Sequence, residues 1–167
     1  MGTEPTVNLN TLPLGTPNTD LPNGTYKIVT ALNNSSLLEA TNGGATDGTL
    51  VQLYTNTSPS VIHQQWIVTN VGGGYYKLQP ANAPTKAMDV SGGSSANGSQ
   101  IQIYTSNGTA AQKWKITTLS DGYYTLSPGN ATTSALDLDN AGTANGTKVQ
   151  IYSANGTIAQ KFRFILQ

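Results

Sequence analysis

An all-β fold is predicted by three features of this 167-residue chain. Charged residues make up only 10% of it, while Gly, Asn, Thr, Ser and Tyr are abundant, a composition suited to short strands and tight polar turns rather than helices. Short runs alternate apolar and polar residues between Asx-Gly or Gly-rich turns, which is hairpin punctuation. The same runs then recur in unchanged order, a threefold internal repeat of roughly 48 to 50 residues.

Each unit opens on a Gly-led strand: "GTYKIV" at Gly24, "GYYKLQ" at Gly74 and "GYYTLS" at Gly122. A second strand carries one acidic residue, in "LLEA", "AMDV" and "ALDL" beginning at Leu37, Ala87 and Ala135. The third follows an Asx-Gly turn, in "DGTLVQLY", "NGSQIQIY" and "NGTKVQIY" ending at Tyr54, Tyr104 and Tyr152. The fourth begins at the aromatic that closes "HQQW", "AQKW" and "AQKF", namely Trp66, Trp114 and Phe162. Four strands per unit give repeats at about 21–71, 72–119 and 120–167 in one domain, preceded by a Thr/Pro-rich linker or tail at 1–20.

A period of two places Val51 with Leu53, Ile101 with Ile103, and Val149 with Ile151 on one face of the third strands, with the Gln and Tyr residues on the other. The aliphatic face is the expected core. Tyr26, Tyr76 and Tyr124, Leu38, Met88 and Leu136, and Trp66, Trp114 and Phe162 recur at equivalent places, so they are expected to layer around a pseudo-threefold axis. No single unit can bury that face alone. Lys113, Lys115, Lys161 and Arg163 read as a solvated strand edge.

The totals exclude several classes. Eight basic residues balance eight acidic ones and lie scattered, so there is no footprint for nucleic acid or an anionic surface. No apolar run reaches the ~20 residues of a membrane span, and no cysteine supplies a disulfide, a thiolate ligand or a thiol nucleophile. With a single histidine and no Gly-x-Ser-x-Gly elbow, neither a metal nor a cofactor is expected. Glycoside hydrolysis needs two carboxylates across one bond, whereas each unit offers one, so no catalysis is expected.

From about Leu21 to Gln167 the chain resembles the ricin B-type lectins and family 13 carbohydrate-binding modules, whose mark is three Gln-x-Trp endings after three acidic residues. The resemblance implies a β-trefoil with pseudo-threefold symmetry and shallow sugar pockets, up to one per unit. Two departures stand out: the cysteines that often staple such units are missing, and Phe162 replaces the last Trp. A third concerns the pocket, because Ala111, Ala159 and His63 stand before the Gln where sugar-binding members often carry Asn.

A sugar offers vicinal hydroxyls and a flatter C–H face, so a binder needs a polar clamp and an aromatic platform. Asp89 and Asp137 supply ionised acceptors, Tyr104 and Tyr152 the platforms, Gln102 and Gln150 amides on the same strand face, and Asn107 and Asn155 amides after the turn. Gln112 and Gln160 either touch the sugar or orient the acid from behind. Glu39, Gln52, Tyr54 and Gln64 form a weaker first site, since Glu39 is longer by a methylene and its loop "TNTSPSVIHQ" by two residues. The resemblance implies galactose-type or xylose-type glycans as partners.

The competing reading is a protein-binding trefoil, an inhibitor or scaffold working through that long loop. The Thr/Pro-rich tail favours a module tethered to a catalytic domain of a secreted polysaccharide-degrading enzyme. Asn107 and Asn155 lie in Asn-x-Thr sequons, so a glycosylating route would place a glycan on proposed ligands, and a bacterial extracellular origin is expected.

Overall fold

The computed structural model describes residues 20–167; residues 1–19, nearly all of the expected tail, lie outside the described residues. Twelve strands follow one another: β1 Gly24–Thr30, β2 Ser36–Ala40, β3 Thr49–Thr55, β4 Trp66–Gly72, β5 Tyr75–Pro80, β6 Lys86–Val90, β7 Ser99–Thr105, β8 Trp114–Thr118, β9 Tyr124–Pro128, β10 Ser134–Leu138, β11 Val149–Ser153 and β12 Phe162–Leu166. The fold is a β-trefoil, with four strands from each unit.

Six of them close a barrel, because β1 pairs with β12 and β4, β5 with β4 and β8, and β9 with β8 and β12. The others form hairpins β2–β3, β6–β7 and β10–β11. The hairpins meet one another, since β7 pairs with both β3 and β11 and Gln52 bridges to Lys148. Closure satisfies strand edges that a single four-stranded unit would leave open. For the same reason Lys115 and Arg163 do not lie on an edge: β8 and β12 are paired on both sides, and these residues sit on the outer face of the barrel.

The core is the layered one that the repeat predicts. Val51, Leu53, Ile101, Ile103, Val149 and Ile151 are fully buried, as are Leu38, Met88, Leu136, Trp66, Trp114 and Phe162. Trp66 and Trp114 donate Nε1–H to the carbonyls of Leu38 and Met88 at 3.0 Å, so each indole fixes the strand bearing the acid of its own unit. Phe162 keeps the packing but has no N–H to give. Phe164 packs edge-to-face on Tyr26 and Tyr124 with centroids 5.9 and 5.3 Å away, a favourable quadrupole arrangement.

The units are joined cyclically through their Asx-Gly turns. Gly48, Gly98 and Gly146 adopt φ of +85°, +84° and +86°, a conformation open to glycine at no steric cost. There their N–H groups reach Ile103, Ile151 and Leu53 of the next unit at 2.8 to 2.9 Å. The preceding side chains do likewise: Asp47, Asn97 and Asn145 accept from the backbone N–H of Thr105, Ser153 and Thr55 at 2.7, 2.8 and 2.8 Å. Lys86 also donates to Asp47 at 2.8 Å, and this bond holds the Asp47 carboxyl below the usual carboxylate range.

Candidate functional site

The second strand of each unit carries its acid beside the third strand's Gln, because the hairpin registers pair Glu39 with Gln52, Asp89 with Gln102 and Asp137 with Gln150. Period-two geometry then sets Tyr54, Tyr104 and Tyr152 two residues further on the same face, each partly exposed. A short 3-10 turn follows and returns the Gln of the Gln-x-aromatic motif underneath.

This last Gln is the organiser of the site. Gln112 is 1% exposed, donates Nε2–H to Asp89 Oδ2 at 3.2 Å and to the Thr105 carbonyl at 3.0 Å, and accepts from Asn107 N–H at 2.9 Å. Gln160 repeats the set with Asp137, Ser153 and Asn155 at 3.1, 3.0 and 3.0 Å, and Gln64 repeats it with Glu39, Thr55 and Thr57. Both amide hydrogens are thus used within the protein, and of the two roles left open by the sequence the geometry supplies the orienting one. From the other side Gln102 and Gln150 donate to Asp89 Oδ1 and Asp137 Oδ1 at 2.9 and 3.0 Å. A carboxylate has about four acceptor directions, so two hydrogen bonds leave it able to take two more.

In the second unit these groups converge. Asp89, Gln102, Tyr104 and Asn107 line one open depression of about 490 Å³, while Gln112 lies behind the acid and does not line it. Asn107 folds its Oδ1 onto Thr109, accepting from N–H at 3.0 Å and Oγ1–H at 2.8 Å, and its amide N–H groups make no hydrogen bond among the described residues. Asn155 is held by Thr157 in the same way. Burial raises the Asp89 carboxyl above the ordinary carboxylate value, and the hydrogen bonds from Gln102 and Gln112 oppose that rise.

Five lining residues were not anticipated from the sequence: Gly92, Gly93, Thr109, Ala110 and Asn130. Gly92 and Gly93 form the floor turn after β6, and a Cβ at either would meet nothing within 4 Å. Asn130 enters from the third unit and donates Nδ2–H to the Gly93 and Ser94 carbonyls at 3.0 Å. Asn82 does the same for the first unit, donating to the Gly43 carbonyl at 2.9 Å. The signal was present, since Asn82 and Asn130 each stand two residues after a strand-ending Pro, but it is visible only when the units are aligned.

The first unit departs from the other two. Glu39 accepts from Gln52 and Gln64 at 3.0 and 2.8 Å, and His63 Nε2 stands 3.5 Å from Glu39 Oε2. Thr57 occupies the place of Asn107 and Asn155, because it gives its backbone N–H to Gln64 as they do to Gln112 and Gln160. Among the described residues no cluster of three His, Asp or Glu side chains gathers to hold a metal ion.

Barrel, hairpin cap and three acid–glutamine clamps together define a β-trefoil of the lectin type. The chain belongs to the family described as ricin-type beta-trefoil lectin domain-like, whose model matches residues 15–104 and, displaced by about one repeat, residues 62–152. Among solved structures it is similar to the designed threefold-symmetric protein ThreeFoil, at 33% identity and a TM-score of 0.81 over 86% of this chain and 99% of that one. It is also similar to part of 1,3Gal43A, an exo-β-1,3-galactanase from Clostridium thermocellum, at 28% identity and a TM-score of 0.80; 90% of this chain covers 32% of that enzyme. The Rhizoctonia solani agglutinin shares the fold at 24% identity and a TM-score of 0.74, over 90% of this chain and 99% of that one. Comparison with curated protein sequences gives no match.

Proposed function

We propose that this protein binds neutral glycans of galactose or xylose type without transforming them, through the second and third pockets. One observation carries the reading: Asp89, Gln102, Tyr104 and Asn107 line a single open depression, with the acid fixed from behind by Gln112. The carboxylate accepts two sugar hydroxyls, the ring of Tyr104 lies under the apolar face, and the amides of Gln102 and Asn107 complete the rim. Asp137, Gln150, Tyr152 and Asn155 form the equivalent set in the third unit. Catalysis is left out because each pocket brings a single carboxylate, whereas glycosidic cleavage uses a facing pair.

The protein serves, on this reading, as an exported bacterial module attached to a polysaccharide-degrading enzyme. What supports the attachment is the Thr/Pro-rich segment before the domain and the likeness to about a third of an exo-β-1,3-galactanase. Shallow pockets order few groups and compete with water, so single-site dissociation constants of roughly tens of micromolar to millimolar are expected. Titration against galactosides, xylo-oligosaccharides and β-glucans tests the reading; no binding at millimolar sugar would remove it.

A further inference from the structure

The second and third pockets share their acid, Gln, Tyr and Asn but not their walls. Gly93, Ala110 and Asn130 line the second depression. The repeat register puts Ala141, Ile158 and Leu32 at the corresponding places in the third. Two hydrogen bonds support that correspondence: Ala31 N–H donates to the Lys161 carbonyl at 3.0 Å as Gly129 N–H does to that of Lys113 at 2.8 Å, so the corner bearing Leu32 docks on the third unit as the corner bearing Asn130 docks on the second. The wall is therefore small and polar in one pocket and larger and apolar in the other.

Ile158 is the most telling of the three. It is 55% exposed, so its side chain is open to a ligand, and its counterpart Ala110 lines the second depression. Ala141 holds φ of +52°, a left-handed conformation disfavoured for a residue with a Cβ, where the second unit has Gly93 at +61°. Leu32 is half-buried against the core where Asn130 gives two hydrogen bonds to the floor turn.

We propose that the two pockets select different sugars: the third prefers a sugar bearing a methyl-containing substituent beside the clamped hydroxyls, and the second is indifferent to it. An apolar ledge rewards a methyl group by removing it from water, and a wall of Gly, Ala and Asn does not. The inference rests on sugar binding at these pockets.

The test is a residue-resolved NMR titration of the full chain with galactose, methyl β-galactoside and N-acetylgalactosamine, and with xylose and methyl β-xyloside. Amides of Gly92 and Gly93 report the second pocket, and those of Asn140 and Ala141 the third. Burying one methyl group corresponds to about a three- to fourfold gain in affinity, expected at the third pocket for the glycoside arm, the acetamido arm or both, with less than about twofold at the second. The arms tell which side of the sugar meets the ledge. Ile158→Ala is expected to abolish the preference, and Ala110→Ile, also at an exposed position, to install it in the second pocket. Equal selectivity at both pockets, or a preference that survives Ile158→Ala, overturns the inference while leaving sugar binding intact. Absence of any shift at either pocket with every sugar removes both readings.

Discussion

His63 Nε2 lies 3.5 Å from Glu39 Oε2, and the same imidazole sits over Gly43, where a Cβ would come within 3.2 Å of Nδ1. The ring thus fills the first unit's clamp from the side that Ala111 and Ala159 leave open in the others. A sugar entering there would have to displace it. Tyr54→Ala is therefore expected to leave sugar stoichiometry and polymer avidity nearly unchanged, while Tyr104→Ala and Tyr152→Ala each remove one of two sites. Calorimetric titration of the three variants with monosaccharide and polymer decides; a dominant loss from Tyr54→Ala reverses the ranking. If both proposed pockets bind, their placement on one domain is expected to give a polymer avidity that either single-site variant largely abolishes.

Asp89→Asn is expected to weaken the second site by about 1 to 3 kcal/mol, since a charged acceptor is lost. It should also lower stability by about 1 to 2 kcal/mol. The reason is geometric: Gln102 and Gln112 both donate to this carboxylate, and an amide has only one oxygen, so one of them is left facing an N–H group. Denaturant unfolding measures the second effect and NMR titration the first. Full stability with unaltered binding would show that neither oxygen matters.

The raised carboxyl of Asp89 gives a pH dependence whose sign follows from its cause. Burial favours the protonated form in the native state, so between the unfolded and folded pKa the native protein holds more proton and stability rises as pH falls. Sugar binding moves the opposite way, because protonation removes the acceptor. The affinity of the second pocket should therefore decline at a pH above the ordinary Asp value, read from Gly92 and Gly93 amide shifts in a pH series. A midpoint at or below that value would mean that the Gln hydrogen bonds outweigh burial.

Gln112→Ala is expected to be worse than any rim substitution. It strips partners from Asp89, from the Thr105 carbonyl and from the Asn107 N–H together, in a place that water reaches poorly. A loss of about 2 to 4 kcal/mol is expected on the scale of buried polar groups left unpaired. Chemical denaturation of the variant measures it, and a loss below about half a kcal/mol would deny the Gln its organising role.

Asn145→Ala tests the cyclic seam. Asn145 Oδ1 accepts from both the N–H and the Oγ1–H of Thr55, at 2.8 and 2.9 Å, and so ties the third unit to the first. The contact is solvent-exposed, so about 1 kcal/mol of stability is expected to be lost, read as a shift of the denaturation midpoint without a change of slope.

Much of this molecule was legible in the chain because its information is local and written three times. Alternation placed Ile101 and Ile103 in the core and left Tyr104 exposed, and the recurrence of an acid before a Gln-x-Tyr strand singled out Asp89, Gln102 and Tyr104, which line one depression. Pairing of strand edges needs only that such units be repeated until the barrel closes. What sequence periodicity could not express was where a Gln amide spends its hydrogens.

The sequence by itself determined the number of strands, the identity of the core layers and the side of each hairpin on which acid, Gln and Tyr would meet, because a period of two and an Asx-Gly turn fix facing and register within a few residues. Only the tertiary structure decided the rest. Gln112 turned inward since Asp89, Thr105 and Asn107 surround it at once; His63 closed the first clamp since its imidazole extends toward Glu39 from the turn position where Ala111 and Ala159 carry only a methyl group; and Asn130 became a wall of its neighbour's pocket. The first two arrangements join separate segments of one unit and the last joins two units, so each energy is a property of tertiary packing and not of any segment read alone.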